Sequence, residues 1–162
     1  MGESIHPMTP TPSSPAHQHR HGDAVADVIV GAPGRFQGPQ QTPGHAYVYS
    51  GLGHDLIRTF TGDDDGAWLG FSVDGVGDVN GDGADDVIVG APSAWNRVDG
   101  NIPSAGIARV YSGATDAVLF TQRGDAPNGN LGAAVAGAPD MDRDGRADFI
   151  IGAPAASPAA HV

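Results

Sequence analysis

The chain has 162 residues, among them 25 glycines and 13 prolines, and its formal net charge is −11 at pH 7. The frequent glycine and proline residues argue against long helices, and the low total of 8 Lys and Arg residues argues against nucleic-acid binding, which requires a basic face. The absence of cysteine excludes disulfides and thiolate chemistry, and no segment is long and apolar enough to span a bilayer.

Residues 1–22 are predicted to form a disordered tail, rich in Pro, Ser, Thr and His. The segment has no apolar periodicity, so it cannot bury enough surface to order itself. It also lacks the apolar core of a signal peptide. Three histidines, His17, His19 and His21, could hold a transition metal, but nothing in the sequence pre-organises their imidazoles. A solvated tail is therefore the better interpretation.

From Ala26 onwards, short apolar runs separated by turn residues predict an all-β fold. The expected strands cover residues 26–32, 45–50, 56–61, 69–76, 85–91, 107–112, 117–122, 131–137 and 147–153. The runs Val28-Ile-Val30 and Val87-Ile-Val89 are apolar at consecutive positions, which predicts strands buried on both faces. Such strands need a neighbouring sheet above and below.

A loop with metal-binding spacing precedes the strand predicted at 85–91. Residues 77–92 read GDVNGDGADDVIVGAP. Oxygen-bearing side chains stand at positions one, three, five and nine of this loop: Asp78, Asn80, Asp82 and Asp86. Gly83 at position six permits a sharp turn, and Ala84 at position seven is expected to contribute its backbone carbonyl. Hard oxygen ligands at this spacing favour Ca²⁺ over zinc or copper.

The EF-hand is the main alternative for a loop of this spacing, and position twelve argues against it. An EF-hand requires a bidentate Glu at that position and a helix after the loop. Here position twelve is Val89, which lies within an apolar run without helical period. The sequence therefore predicts a metal loop at the entry to a β-strand.

The same pattern returns in residues 139–154, which read PDMDRDGRADFIIGAP. The four side-chain ligands are Asp140, Asp142, Asp144 and Asp148, with Gly145 at the turn and the carbonyl of Arg146 at position seven. Two Ca²⁺ sites are therefore predicted. The segments between the loops are duplicated as well, at a spacing of roughly 60 residues, which indicates repeat architecture.

A third copy of the pattern, at residues 22–33, is degenerate. It keeps the apolar strand and two carboxylates, Asp23 and Asp27. However, Ala24 replaces the turn glycine, and His19 and His21 stand at the first two ligand positions. We expect this copy to bind no Ca²⁺.

Taken together, these motifs resemble the FG-GAP repeat of the β-propellers at the N-termini of integrin α chains. The GAP half occurs at 31–33, 90–92 and 152–154, whereas Leu69-Gly70 and Leu131-Gly132 replace the Phe-Gly half. The resemblance implies a partial propeller of about two to two and a half blades. Its expected parts are a repeat region at 23–162 that contains a partial blade at 23–61, a full blade at 69–122 and a partial blade at 131–154.

The resemblance also implies a function, namely a calcium-binding module for adhesion or binding at the cell surface or outside the cell, with a protein or glycan ligand. Two alternatives stay open: a non-catalytic propeller portion of a secreted or surface enzyme, and a propeller fragment without a function of its own. In each case the module itself is not expected to be an enzyme. Because propellers close with roughly 4–8 blades, we expect missing repeats or self-association to complete the ring.

Three further features of the sequence have simple structural interpretations. Arg123-Gly124-Asp125 forms an RGD triplet in a predicted loop, and turn chemistry accounts for its Gly and Asp. Trp68 and Trp95 are expected to be buried between blades, because aromatic side chains carry a large apolar area.

Overall fold

The computed structural model describes residues 25–34, 36–37, 40–41, 43–63 and 68–156. The predicted tail at 1–22, Asp23, Ala24 and residues 157–162 lie outside the described part. The regular secondary structure of these residues consists of β-strands. The described residues contain no helix that is long and apolar enough to cross a membrane. The strands are β1 (Val28–Ala32), β2 (Phe36–Gln37), β3 (Gln40–Gln41), β4 (His45–Tyr49), β5 (Leu56–Thr61), β6 (Ser72–Gly77), β7 (Asp86–Ala91), β8 (Ile107–Tyr111), β9 (Val118–Arg123), β10 (Ala134–Ala138) and β11 (Asp148–Gly152).

Three antiparallel sheets follow one another along the chain. The first sheet has the order β1-β4-β5, the middle sheet β6-β7-β8-β9 and the last sheet β10-β11. The short β2–β3 hairpin lies in the connection between β1 and β4. The pairing of β1 with β4 and β5 matches that of β7 with β8 and β9, strand for strand. The all-β fold class with partial propeller blades is therefore confirmed.

The middle sheet packs between the other two, and β7 contributes to both interfaces. Val87 and Val89 pack in a cluster with Val48 and Phe60 of the first sheet. The intervening Ile88 packs in a second cluster, whose neighbours include residues of β10 and β11. Since alternate side chains of a strand point to opposite faces, apolar residues are needed at the consecutive positions 87–89. All six residues of β7 are buried, as predicted.

The outer face of β1 is exposed, as expected for the end blade of an incomplete propeller. Val28 and Val30 are exposed, Val28 by 53%, and in the last sheet Ile150 is exposed by 56%. Among the described residues, the first and last sheets each have a neighbouring sheet on one side only. The sequence pattern of β1 is that of a strand between two sheets, and its outer face is uncovered here.

Close backbone contacts between sheets explain the glycines of the repeat. A Cβ atom on Gly31 would lie 2.0 Å from the carbonyl oxygen of Gly70, and one on Gly90 would lie 2.1 Å from that of Gly132. The GAP glycine of one sheet therefore touches the Leu-Gly turn of the next sheet. Gly152 differs, because the nearest atoms to its Cβ position, at 3.5 Å, belong to Ala134 of its own sheet.

Candidate metal centre

The two predicted metal loops connect β6 to β7 and β10 to β11, at equivalent places in the middle and last sheets. The turn glycines adopt positive φ angles, +87° for Gly83 and +89° for Gly145. No heavy atom lies within 4 Å of the Cβ position of either glycine. The backbone conformation, rather than lack of space, therefore requires glycine at position six.

The carboxylate at position one is surrounded by backbone N–H groups of its own loop. Asp78 Oδ1 accepts hydrogen bonds from the N–H groups of Gly81 at 2.6 Å and Asp82 at 3.1 Å, and its Oδ2 accepts one from Gly83 at 2.8 Å. Asp140 accepts the same three hydrogen bonds in the second loop, at 2.6, 3.2 and 2.9 Å. These bonds wrap the backbone around one carboxylate and turn it towards the inside of the loop.

Positions three and five repeat this arrangement on a smaller scale. Asn80 Oδ1 accepts from the N–H of Asp82 at 2.8 Å, and Asp82 Oδ1 accepts from the N–H of Ala84 at 2.9 Å. The corresponding distances in the second loop, for Asp142 and Asp144, are 3.0 and 2.9 Å. In the first loop, the Asn80 amide also donates to Asp82 Oδ2 at 2.8 Å, and this bond lowers the pKa of Asp82.

The carboxylate at position nine joins the loop to the rest of its sheet. Asp86 is fully buried; its Oδ2 accepts from the N–H of Val79 at 3.0 Å and its Oδ1 from the N–H of Gly113 at 2.9 Å. Burial raises the pKa of Asp86, the two N–H donors oppose the rise, and the charges of Asp82 and Asp78 add to it. In the second loop, Asp148 Oδ2 accepts from the N–H of Met141 at 2.6 Å.

Position nine also has a structural role, which the metal prediction missed. In the first sheet, Asp27 Oδ1 accepts from the N–H of Gly51 at 3.1 Å, as Asp86 does from Gly113. The contact ties the start of one strand to the turn between the next two strands. The survival of Asp27 in the degenerate copy was the sequence signal for this role.

Three of the four predicted side-chain ligands of the second loop converge, and Asp144 is not among them. One oxygen each of Asp140, Asp142 and Asp148 lies within 4.8 Å of the others, close enough to share a cation. In the first loop, Asn80 replaces Asp142, so an amide oxygen takes that place. Oδ1 of Asp140 accepts two backbone hydrogen bonds and its Oδ2 accepts one, so Oδ2 keeps a lone pair that can face a cation. The donor set fits a hard cation such as Ca²⁺, and the proposed carbonyl ligands, Ala84 and Arg146, stay predictions.

The two loops touch each other. The N–H of Ala147, in the second loop, donates to the carbonyl oxygen of Asp78, the first residue of the first loop, at 3.0 Å. The Cβ position of Gly77 lies 3.0 Å from the Cβ of Ala147. The start of the first loop and the end of the second loop are therefore in direct contact.

Within the RGD triplet, Gly124 is packed inside the fold, whereas Asp125 is exposed. Gly124 is buried; its N–H donates to Gly106 O at 2.9 Å, and its own carbonyl accepts from the Asn96 amide at 2.8 Å. Of the two tryptophans predicted to be buried, Trp68 is half-buried, whereas Trp95 is 41% exposed. The burial of Trp95 is therefore a wrong prediction, and the guanidinium of Arg97 lies over its ring.

Comparison with known proteins agrees with the repeat pattern. The family described as "FG-GAP repeat" matches residues 70–111 and 131–161. The chain is 32% identical over 139 residues to integrin alpha-5 of Xenopus laevis, and 33% identical over 138 residues to integrin alpha-8 of Mus musculus. It is 34% identical over 151 residues to integrin alpha-PS5 of Drosophila melanogaster. These matches cover 82–84% of this chain but only 12–14% of the relatives' length.

Proposed function

Because this chain carries FG-GAP repeats similar to those of integrin α chains, we propose that it is a calcium-binding β-propeller module for adhesion or another binding role. The module acts outside the cell or at its surface, with a protein or glycan ligand. The matched repeats are not catalytic, so the module is not an enzyme. It spans a small part of the length of its integrin relatives, and its ligand need not be theirs.

The observation that carries the calcium proposal is the equivalence of the two loops. Both turn carboxylates inward through the same pattern of backbone hydrogen bonds, and three carboxylates of the second loop lie within 4.8 Å of one another. Like charges at this separation repel one another unless a cation lies between them. In the first loop, burial and the charges of Asp82 and Asp78 oppose ionisation of Asp86. A bound divalent cation offsets both costs.

Titration calorimetry of the chelator-treated protein tests the proposal. We expect two Ca²⁺ sites per chain, and one site in each of the variants Asp78→Asn and Asp140→Asn. Asp125→Asn is the matched control, because Asp125 is an exposed carboxylate outside both loops; this variant should retain two sites. Binding of no Ca²⁺, or two sites in the Asp78→Asn/Asp140→Asn double variant, would disprove the assignment.

Thermal unfolding gives a second test of the same proposal. An ion that binds only the folded state stabilises it by about 2.7 kcal/mol per site at a hundredfold excess over its dissociation constant. We therefore expect EDTA to lower Tm and Ca²⁺ to restore it. Mg²⁺ should restore it only in part, since Mg²⁺ loses its water reluctantly and prefers an octahedral site. Identical melting curves in EDTA and Ca²⁺ would show that the loops do not contribute through a metal.

We further propose that another blade covers the exposed faces of β1 and β11. The exposed Val28, Val30 and Ile150, and the open surface beside Gly152, are the places where a neighbouring sheet would pack. Further repeats of the same polypeptide or a second copy of this chain would supply that sheet. A contact between the two different ends is heterologous, so it closes a ring only if the rotation per copy divides the circle.

Light scattering on this chain in isolation tests the need for another blade. We expect association that increases with protein concentration. A compact monomer that melts cooperatively at micromolar concentration would contradict the proposal.

A further inference from the structure

The side chain of Arg146 extends from the second metal loop to the first. Its Nε lies 3.8 Å from the Cβ position of Gly81, which belongs to the first loop. The N–H of Gly81 donates to Asp78 Oδ1 at 2.6 Å. The guanidinium of Arg146 is therefore a near neighbour of a carboxylate that we propose as a ligand of the first ion.

Arg146 and the first loop also line a common cavity. The cavity has a volume of about 900 Å³ and lies beside β1, β6 and both loops. Its lining includes Asp78 and Asp86 of the first loop, together with Asp140 and Arg146 of the second loop. Two of the ligand residues proposed for the first ion therefore share one cavity with an arginine of the other loop.

The positive charge of Arg146 is not already paired within the described part of the chain. No ion pair and no side-chain hydrogen bond joins Arg146 to a described residue. Its backbone N–H donates to Asp144 Oδ1 at 2.9 Å, which leaves the guanidinium unaffected. Arginine keeps its charge throughout the ordinary pH range, so this charge acts on the acidic loop beside it.

The two loops differ at the positions where arginine occurs. Position four is Gly81 in the first loop and Arg143 in the second, and position seven is Ala84 in the first loop and Arg146 in the second. The first loop has no basic residue of its own at 78–86. A positive charge reaches it only from the neighbouring repeat, as far as the described residues show.

From these observations we infer that Arg146 tunes the first metal loop from the second. Its charge lowers the Ca²⁺ affinity of the first loop, because a guanidinium repels a divalent cation. The same charge stabilises the first loop when no ion is bound, because it attracts the carboxylates. The effect on affinity rests on the calcium proposal, whereas the effect on the empty loop does not.

Salt provides a check on the electrostatic origin of both effects. Arg146 is exposed, so dissolved ions can screen its charge. The Debye length is about 30 Å at 0.01 M ionic strength and about 3 Å at 1 M. Both effects should therefore be strong at low ionic strength and nearly absent at high ionic strength.

Titration of Ca²⁺ in competition with a chromophoric chelator tests the effect on affinity. In the Asp140→Asn background the first loop is the expected site, and Arg146→Met then removes the charge but keeps a long side chain. We expect the affinity to rise about three- to sixfold at 0.01 M ionic strength and less than about twofold at 1 M. Arg146→Lys should keep the low affinity. Arg143→Met is the matched control, because Arg143 lies in the same loop but outside the described lining of the cavity.

Urea unfolding in EDTA tests the effect on the empty loop, with no ion involved. Arg146→Met should lower the urea midpoint at 0.01 M ionic strength, because it removes the cation beside the carboxylates of the first loop. Arg143→Met should lower the midpoint less. Excess Ca²⁺ should reduce the deficit of Arg146→Met or reverse it, since this variant binds the ion more tightly.

Three results would overturn the inference: an unchanged affinity in Arg146→Met, an equal rise in Arg143→Met, and a rise that is as large at 1 M as at 0.01 M. If the chain binds no Ca²⁺ at all, the calcium proposal fails, and unfolding in EDTA then decides the inference. Equal midpoints of Arg146→Met and the parent protein in EDTA would overturn it. A salt-dependent rise in affinity in Arg146→Met alone, with a lower midpoint in EDTA, would support it.

Discussion

Replacement of Gly90 by alanine should disrupt the contact between the middle and last sheets. The added Cβ would lie 2.1 Å from the carbonyl oxygen of Gly132 and 2.3 Å from Ser72 Oγ. The Ser72 side chain can rotate away, but it then loses its 2.7 Å hydrogen bond to Gly132 O. The carbonyl of Gly132 belongs to the backbone and cannot rotate away, so the two sheets must move apart. Overpacking of about 1–3 kcal/mol and a lost hydrogen bond of about 0.5–1.5 kcal/mol predict a total destabilisation of about 1.5–4.5 kcal/mol.

Gly152 provides a control within the same motif. It is the GAP glycine of the last sheet, and the atoms nearest to its Cβ position are 3.5 Å away, at ordinary contact distance. Its φ angle is outside the left-handed region. Gly152→Ala should therefore leave stability unchanged or raise it by up to about 1 kcal/mol, because alanine reduces the conformational entropy of the unfolded chain.

Urea unfolding of both variants at low protein concentration, with Ca²⁺ held constant, measures the difference. The midpoint should fall in Gly90→Ala and stay or rise in Gly152→Ala, with similar m-values. Equal losses in the two variants would refute the explanation that the GAP glycine is required by the next sheet. A loss in Gly152→Ala that appears only at high concentration would indicate that a second copy packs there.

Three other substitutions test single features. Arg143 has a φ angle of +67°, a conformation that costs a non-glycine residue about 1–2 kcal/mol. Arg143→Gly should therefore raise the urea midpoint modestly, and a lower midpoint would contradict this explanation. Asp27→Ala removes the hydrogen bond to Gly51 and should lower the free energy of unfolding by about 1 kcal/mol, equally in EDTA and in Ca²⁺. A loss of stability that appears only in Ca²⁺ would instead indicate that Asp27 binds a metal. Arg109 lowers the pKa of Asp63, so the pair stabilises the fold at pH values above the ordinary pKa of aspartate. This stabilisation is lost as the pH falls through the lowered pKa of Asp63. Asp63→Asn should abolish that part of the acid sensitivity at a cost below about 1 kcal/mol near neutral pH; an unchanged dependence of Tm on pH would contradict it.

The strands could be predicted from the sequence because the repeat displays them more than once. The predicted bounds of 56–61 agree with β5, but the strand predicted at 131–137 begins at Ala134. Leu131-Gly132 instead forms a turn, in which Gly132 has a φ angle of +85° and its N–H donates to Gly152 O. An apolar residue before a glycine is compatible with both a strand and a turn, and tertiary contact decides between them.

The site could be predicted only where its residues are close in sequence. The loop at 78–86 has a fixed spacing of oxygen side chains, and in the structure these side chains accept hydrogen bonds from the backbone of their own loop. Their binding of a metal stays a prediction. By contrast, Arg97, Arg109 and Arg123 are far apart in sequence, and they line one cavity only because β8 pairs with β9 and the β7–β8 connection folds beside them. For the same reason the exposure of Trp95 beside Arg97 was not predicted.

The hydrogen bond from Ala147 to Asp78 has a thermodynamic consequence if both loops take an ion. Asp78 carries a proposed ligand in its side chain and holds the neighbouring loop with its carbonyl. An ion that immobilises Asp78 then also restricts the second loop, so filling of one loop changes the affinity of the other. Such coupling is reciprocal. In a ring of blades with this bond at each junction, ion occupancy would be a cooperative property of the ring rather than of its separate loops.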